Sequence, residues 1–116
     1  MRIASFNLEN FDDDPQSSIT LSERIAVMRP QIERLRADVL CLQEVNGQET
    51  SNQPRALLAL DRLLENTPYA NFHRVSTLTE RDEPYDERNL VILSRFRLLS
   101  TSRSNMNSLN RLGIRR

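Results

Sequence analysis

The clearest hydrophobic pattern in the sequence is a run of four apolar residues, 39–42 (Val-Leu-Cys-Leu), that ends at Gln43 and Glu44. Consecutive apolar residues place side chains on both faces of an extended segment, which is typical of a strand buried on both sides. We therefore predict a buried strand at residues 38–45. Burying an unpaired carboxylate is expensive, so Glu44 is expected either to face water or to hold a cation.

A helix is predicted before this strand by apolar residues that recur at steps of four and three. These residues are Leu21, Ile25, Met28, Ile32 and Leu35. Thr20 and Glu23 fit a capping box, in which each residue satisfies a free backbone donor of the other. Pro30 removes one hydrogen bond of the helical ladder, so we expect one bent helix rather than two.

Residues 2–7 are predicted to form a strand before the helix, with Ile3 and Phe6 as its bulky apolar members. A strand, a helix and a second strand within this length are typical of a βαβ unit, whose strands run parallel. If the two strands are neighbours, Asn7 and Glu44 both lie at carboxyl ends. Ligand sites of α/β sheets gather at that edge.

The remaining segments carry weaker patterns. Asp12, Asp13 and Asp14 are predicted to form a solvated acidic loop, because adjacent like charges seldom converge on one ion. Further predictions are a polar loop at 47–53, a helix opened by Pro54 with leucines at 57, 58, 60, 63 and 64, a strand at 69–77, a charged loop at 79–88 and a strand at 89–99.

Composition and charge exclude few function classes. Sixteen basic residues, all of them arginine, balance sixteen acidic ones, so the net charge does not indicate a nucleic-acid or membrane partner. The single cysteine, Cys41, excludes an internal disulfide and is interpreted as a small hydrophobic residue of the strand. No apolar run approaches transmembrane length and no signal-peptide core follows Met1. We expect a cytoplasmic protein if Met1 is the native start.

Three segments, taken in order, resemble motifs of one family. They are residues 2–11 (Arg-Ile-Ala-Ser-Phe-Asn-Leu-Glu-Asn-Phe), 37–45 (Ala-Asp-Val-Leu-Cys-Leu-Gln-Glu-Val) and 88–96 (Arg-Asn-Leu-Val-Ile-Leu-Ser-Arg-Phe). They are similar to the opening strand, the metal-ligand strand and a later strand of the endonuclease/exonuclease/phosphatase superfamily, which has the deoxyribonuclease I fold. The resemblance implies the N-terminal portion of a two-sheet α/β sandwich, with a mixed sheet and flanking helices, at residues 1–100.

The resemblance also implies roles for three residues in the hydrolysis of phosphodiester or phosphomonoester bonds. Glu44 would be the catalytic metal ligand for Mg²⁺ (or Mn²⁺), and Asn7 would hydrogen-bond the scissile phosphate or a metal-bound water. Arg88 would contact a substrate phosphate through its two-pronged guanidinium. The competing interpretations are a solvated strand-end carboxylate, an ordinary turn asparagine and a solvated loop arginine.

The single histidine, His73, is interpreted as structural or exposed, because the family's catalytic histidine lies in a terminal Ser-Asp-His motif. That motif and the family's Gly-Asp-x-Asn segment do not occur in the sequence. We therefore expect the C-terminal half of the domain to be missing and the isolated chain to be inactive or nearly so. The third motif departs from the family's pattern at Asn89, where glycine is common, and Arg97 directly after it stands where proline is common.

Residues 101–116, rich in Ser, Asn and Arg, are a basic tail or a truncated connection. An alternative function rests on this segment, namely a non-catalytic α/β module that binds nucleic acid or a protein partner through its arginine-rich end. A third alternative is a fragment with no function of its own. The substrate class stays open among DNA, RNA, inositol phosphate and lipid headgroups, because loops elsewhere set specificity.

Overall fold

The computed structural model of the protein describes residues 1–98. In chain order its elements are β1 (Ile3–Phe11), α1 (Leu21–Leu35), β2 (Val39–Val45), β3 (Gln48–Thr50), β4 (Gln53–Ala56), α2 (Leu58–Leu64), a 3₁₀ turn (Pro68–Asn71), β5 (His73–Ser76) and β6 (Asn89–Ser94). The basic segment 101–116, and with it the alternative binding function, lies outside the described residues. Neither of the helices within residues 1–98 is long and apolar enough to span a bilayer.

The main sheet has four strands in the order β1-β2-β6-β5, and β3 pairs with β4 in a separate hairpin. β1 and β2 are parallel neighbours, with Ile3 opposite Val39 and Asn7 opposite Gln43. β6 runs antiparallel to both β2 and β5. The predictions of adjacent parallel strands joined by α1, and of an α/β fold with a mixed sheet and flanking helices, are confirmed.

The hydrophobic core lies between one face of this sheet and the two helices. Its largest fully buried side chains include Leu8, Phe11, Ile32, Leu40, Leu42, Leu60, Leu63, Leu64 and Leu93. Burying a leucine or phenylalanine side chain contributes about 1.5–3 kcal/mol, so this layer dominates the stability of the described part. Cys41 is only half-buried, because side chains alternate along β2 and it shares the opposite face with Gln43. The prediction that β2 is buried on both faces is therefore wrong for one face of the described part.

α1 is one helix rather than two, as predicted, and its ends are well defined. The Thr20 hydroxyl accepts a hydrogen bond from the Glu23 backbone N–H and satisfies one free donor of the first turn. Pro30 lies inside the helix without ending it. The helix ends at Leu35, and the capping residue Arg36 adopts the left-handed backbone conformation (φ 44°). This ending turns the chain directly into β2.

The segment after β2 differs from the prediction. Residues 48–56 form the β3–β4 hairpin instead of a polar loop, and Pro54 lies in β4 rather than at the start of a helix. Proline has no backbone N–H. It is tolerated there because each strand of a two-stranded hairpin has an outer edge whose N–H groups make no hydrogen bond within the hairpin. Gly47 precedes the hairpin at a position where a Cβ would lie 2.8 Å from the Tyr85 carbonyl oxygen. The close packing of the 84–88 loop on this turn therefore requires glycine.

The predicted strand at 69–77 begins later than expected, because Pro68 opens the 3₁₀ turn and β5 covers only His73–Ser76. Tyr69 is the reason that the turn packs inward. Its buried hydroxyl donates to the Ile32 carbonyl oxygen at 2.8 Å and accepts from the Ala37 N–H at 3.0 Å. The two bonds tie the turn to the C-terminal end of α1.

Asp38 links three segments of the chain at the end of the sheet where β1 and β2 begin. The Arg2 backbone N–H donates to one carboxylate oxygen at 2.7 Å, and the Arg95 guanidinium donates to the other at 2.9 Å. These bonds, the Arg2 N–H above all, hold the pKa of Asp38 below its ordinary value because they favour the charged carboxylate.

We expect Asp38→Asn to lower the urea midpoint of unfolding at neutral pH. A carboxyl group with a lowered folded-state pKa contributes stability above its unfolded pKa of about 4 and loses it as the pH falls through the folded value. The difference in urea midpoint between wild type and variant should therefore become smaller below about pH 4. Asp13→Asn, at an exposed loop position, serves as the control. A difference in urea midpoint that stays constant with pH would contradict stabilisation by the charged Asp38 carboxylate.

Candidate functional site

Asn7 and Glu44 meet at the edge where the parallel strands β1 and β2 end. The Asn7 Nδ2 atom donates a hydrogen bond to Glu44 Oε2 at 2.6 Å. Asn7 Oδ1 accepts from the Glu9 backbone N–H at 2.7 Å, which fixes the other side of the amide group. The structure thus brings together the two side chains that the sequence placed at one edge. Their roles in catalysis and metal binding stay predictions.

A local irregularity in β2 directs Glu44 towards Asn7. Asn7 is opposite Gln43 in the sheet, and regular alternation would turn Glu44 to the other face, towards the helices. The pairing of β2 with β6 shifts register between Leu42 and Val45, and Glu44 has a positive φ of 57°. A bulge of this kind re-aims one side chain. It therefore places the carboxylate on the same side as the amide.

The end of β1 is irregular as well. Its pairing with β2 shifts register between Asn7 and Phe11. Glu9 and Asn10 have φ values of 53° and 52°, a conformation that costs a residue with a side chain about 1–3 kcal/mol. Such strained backbone persists only when surrounding contacts hold it. Both strands thus leave regular geometry where the candidate site lies.

The donor set at this edge can be compared with the needs of a divalent cation. Glu44 is half-buried, and its Oε1 atom accepts no hydrogen bond from residues 1–98. Within this range no three His, Cys, Asp or Glu side chains converge on one point. Mg²⁺ is commonly held by one or two carboxylates, with waters and substrate phosphate as the other ligands. The residues present fit such a water-rich site and do not fit a closed four-ligand zinc site.

Arg88 lies at the same end of the sheet as the Asn7–Glu44 pair, because Asn89 is opposite Val45, but it lines a separate cleft. It precedes β6, its side chain is exposed, and its backbone N–H donates to Asn46 Oδ1 at 2.9 Å. The polar cleft that it lines has a volume of about 290 Å³, and neither Asn7 nor Glu44 lines that cleft. Among residues 1–98 the Arg88 guanidinium makes no hydrogen bond or ion pair. Phosphate binding by Arg88 stays a prediction.

A buried amide network, which the sequence did not predict, supports this cleft. Asn46 is buried, and its Nδ2 atom donates to Asp12 Oδ2 at 3.1 Å. Gln48 Nε2 donates to Asp12 Oδ1 at 2.9 Å. Asp12 is therefore a half-buried acceptor rather than a solvated loop residue, in contrast to the prediction, whereas Asp13 and Asp14 are exposed. The signal in the sequence was only the polar run that follows the buried strand.

Asn89 holds the loop on the other side of the cleft. The residue is fully buried, and its Nδ2 atom donates to the carbonyl oxygens of Val45 and Tyr85. Its Oδ1 atom accepts from the Thr77 hydroxyl and from the Tyr85 N–H. Every donor and acceptor of the amide group is thus satisfied by the fold. A glycine at this position would supply none of these bonds.

His73 lies at the opposite end of the sheet from the pair. It is exposed on β5 and is opposite Ser94 of β6, which is in turn opposite Val39 at the start of β2. Asn7 and Glu44 lie at the other end of β1 and β2. His73 therefore does not face the Asn7–Glu44 pair, in agreement with its interpretation as a surface residue.

Comparison with models of known protein families gives a match. The sequence model described as the Endonuclease/Exonuclease/phosphatase family matches residues 4–115. No curated protein matches the chain. The matched range includes Asn7, Glu44 and Arg88 and covers nearly the whole sequence.

Proposed function

The chain belongs to the endonuclease/exonuclease/phosphatase family, and on that premise we propose that it acts in Mg²⁺-dependent (or Mn²⁺-dependent) hydrolysis of phosphoester bonds. In this proposal Glu44 holds the metal ion and Asn7 binds the scissile phosphate. The observation that carries it is the 2.6 Å hydrogen bond between Asn7 Nδ2 and Glu44 Oε2 at the carboxyl ends of two parallel strands. An amide and a carboxylate held this closely can serve one cation and its phosphate together.

Phosphoester hydrolysis requires neutralisation of charge on the phosphoryl oxygens, an activated water and a stabilised leaving group. A bound Mg²⁺ supplies the neutralising charge. The chain's own residues would position the reactants. Glu44 offers the oxygen that Asn7 leaves unused, and Asn7 keeps one N–H of its amide for a phosphate oxygen. Since Glu9 fixes the other end of that amide, the N–H is already oriented.

Arg88 supports the proposal as a second phosphate contact. Its guanidinium is exposed and has no partner within residues 1–98, so it is available for two parallel hydrogen bonds to one phosphate. The cleft that it lines also contains Asp12, Asp14 and Glu87. Those carboxylates would repel doubly charged free phosphate more than the singly charged phosphate of a diester, so a neighbouring phosphate of an extended diester suits this position better.

The shared role of the pair can be tested by measuring Mg²⁺ affinity in the presence and absence of dimethyl phosphate. We expect Mg²⁺ to bind about fivefold more tightly when the diester is present, because a phosphate oxygen then completes the coordination. Isothermal titration calorimetry gives both dissociation constants. The coupling should vanish in Asn7→Ala, which keeps Glu44. Equal Mg²⁺ affinities with and without the diester would contradict the proposal.

The 116-residue chain by itself should turn over phosphodiesters slowly. A positioned general base commonly contributes about 10²–10⁴-fold to the rate, and no histidine lies beside the Asn7–Glu44 pair in residues 1–98. We therefore expect hydrolysis of bis(p-nitrophenyl) phosphate far below the roughly 10 s⁻¹ that is typical of enzymes. Mg²⁺-dependent turnover near that typical rate would refute the need for the absent Ser-Asp-His motif.

A further inference from the structure

The side chain of Arg24 reaches from α1 to the irregular end of β1. Its Nη2 atom donates to the carbonyl oxygens of Leu8 at 2.6 Å and Glu9 at 3.1 Å, and its Nη1 atom donates to the Asn10 carbonyl oxygen at 3.1 Å. The guanidinium also lies 5.2 Å from the centroid of the Phe11 ring. One side chain therefore binds four successive residues of the same strand.

These carbonyl oxygens need a partner because β1 departs from its neighbour at this point. No β1–β2 residue pairs exist between Asn7 and Phe11, and the intervening Glu9 and Asn10 both have positive φ values. The Leu8 carbonyl group is part-buried, where an unpaired acceptor is unfavourable, and the strained conformation of Glu9 and Asn10 adds to the cost. A guanidinium is suited to this task because it presents five donors in a rigid planar fork.

We propose that Arg24 is a positioning residue for the Asn7–Glu44 pair. Arg24 holds the Glu9 backbone through the neighbouring carbonyl groups, and the Glu9 N–H in turn binds Asn7 Oδ1 at 2.7 Å. That bond turns Asn7 Nδ2 towards Glu44. Arg24 thus acts on the site through the backbone of residues 8–10. The inference rests on the proposed function for one assumption, that the Asn7–Glu44 pair binds Mg²⁺.

The test compares Arg24→Ala with Arg34→Ala, which removes an exposed arginine from the same helix. Two quantities are measured, the Mg²⁺ dissociation constant and the ¹H–¹⁵N signals of the Asn7 side-chain amide. We expect Arg24→Ala to weaken Mg²⁺ binding about tenfold or more, as is typical when a supporting residue of a metal ligand is lost. The Asn7 amide signals should move towards those of a solvated asparagine, already without metal. Arg34→Ala should change neither quantity.

Arg24→Lys separates positioning from general stabilisation. Lysine keeps the positive charge near Phe11 but lacks the planar fork, so it should restore the fold fully and the Mg²⁺ affinity only in part. Added methylguanidine should restore the Asn7 amide signals in Arg24→Ala. If Arg24→Ala does not fold, Arg24→Lys carries the test alone.

The two proposals fail in different ways. Folded Arg24 variants that keep wild-type Mg²⁺ affinity and wild-type Asn7 amide signals would overturn the positioning role. Glu44→Gln binding Mg²⁺ as tightly as wild type would overturn the proposed function instead. The metal-free Asn7 amide signals would still decide the positioning role in that case, because they report the hydrogen bonds of Asn7 itself.

Discussion

Replacing Glu44 by glutamine is expected to weaken Mg²⁺ binding about a hundredfold, which corresponds to roughly 2.7 kcal/mol. Glutamine keeps the shape of the side chain and an oxygen that can accept the hydrogen bond from Asn7. It removes the negative charge that would hold the cation beside Asn7. Titration calorimetry with Mg²⁺ measures the change, and an unchanged urea midpoint shows that the fold is intact.

The matched control for this substitution is Glu65→Gln. Glu65 is an exposed glutamate directly after α2, and its side chain makes no hydrogen bond or ion pair with residues 1–98. The control should bind Mg²⁺ as wild type does. If Glu44→Gln and Glu65→Gln both retain wild-type affinity, the metal does not bind at Glu44. An equal loss in both variants would indicate diffuse attraction of the cation to the protein's acidic surface.

Replacing Asn89 by alanine should destabilise the fold by about 2–4 kcal/mol. The buried amide makes four hydrogen bonds, and its removal takes one partner from the Val45 carbonyl oxygen, one from the Thr77 hydroxyl and two from the Tyr85 backbone. Each buried polar group left unsatisfied costs about 1–3 kcal/mol, partly relieved if water enters. Urea unfolding followed by circular dichroism measures the loss.

Two further variants separate the hydrogen bonds of Asn89 from its volume. Asn89→Asp is nearly isosteric but replaces the donating amide by an oxygen that faces the Val45 and Tyr85 carbonyl oxygens. It should therefore destabilise at least as much as Asn89→Ala. Asn71→Ala, at an exposed position of the 3₁₀ turn, should change stability by less than about 0.5 kcal/mol. A similarly small change in Asn89→Ala would contradict the role of the network.

The sequence allowed the β1–α1–β2 unit to be predicted because its signals are local. The apolar run 39–42 predicts a strand, and the steps of four and three between the apolar residues of α1 predict a helix. Thr20 marks the residue at which that helix begins. Parallel pairing of β1 with β2 follows from the connection, and it places Asn7 and Glu44 at one edge. Those inferences need no knowledge of distant contacts.

The elements that could not be predicted from the sequence depend on contacts between residues far apart in the chain. The β3–β4 hairpin contains few apolar residues, and it is tied to the fold by Gln48, which binds Asp12 and the Ala59 N–H. The inward packing of the 3₁₀ turn depends on Tyr69 meeting Ile32. No periodicity in a single sequence reports such pairs.

The candidate site itself was predicted in its residues but not in its geometry. Regular alternation of side chains along β2 would place Glu44 on the opposite face of the sheet from Asn7. The bulge at Glu44 places the two side chains on the same face. The contacts that hold the end of β1 come from Arg24, fourteen to sixteen positions away in the sequence. In the sequence Arg24 is one arginine among sixteen.

The central claim is that one cation binds beside Asn7 and Glu44, and paramagnetic broadening by Mn²⁺ tests it most directly. Mn²⁺ prefers the same oxygen ligands as Mg²⁺ and broadens the NMR signals of nearby nuclei. Small additions of Mn²⁺ should broaden the signals of residues 7 and 44 first, and Glu44→Gln should abolish the effect. Broadening centred on the acidic residues 12–14, or unchanged in Glu44→Gln, would contradict the claim.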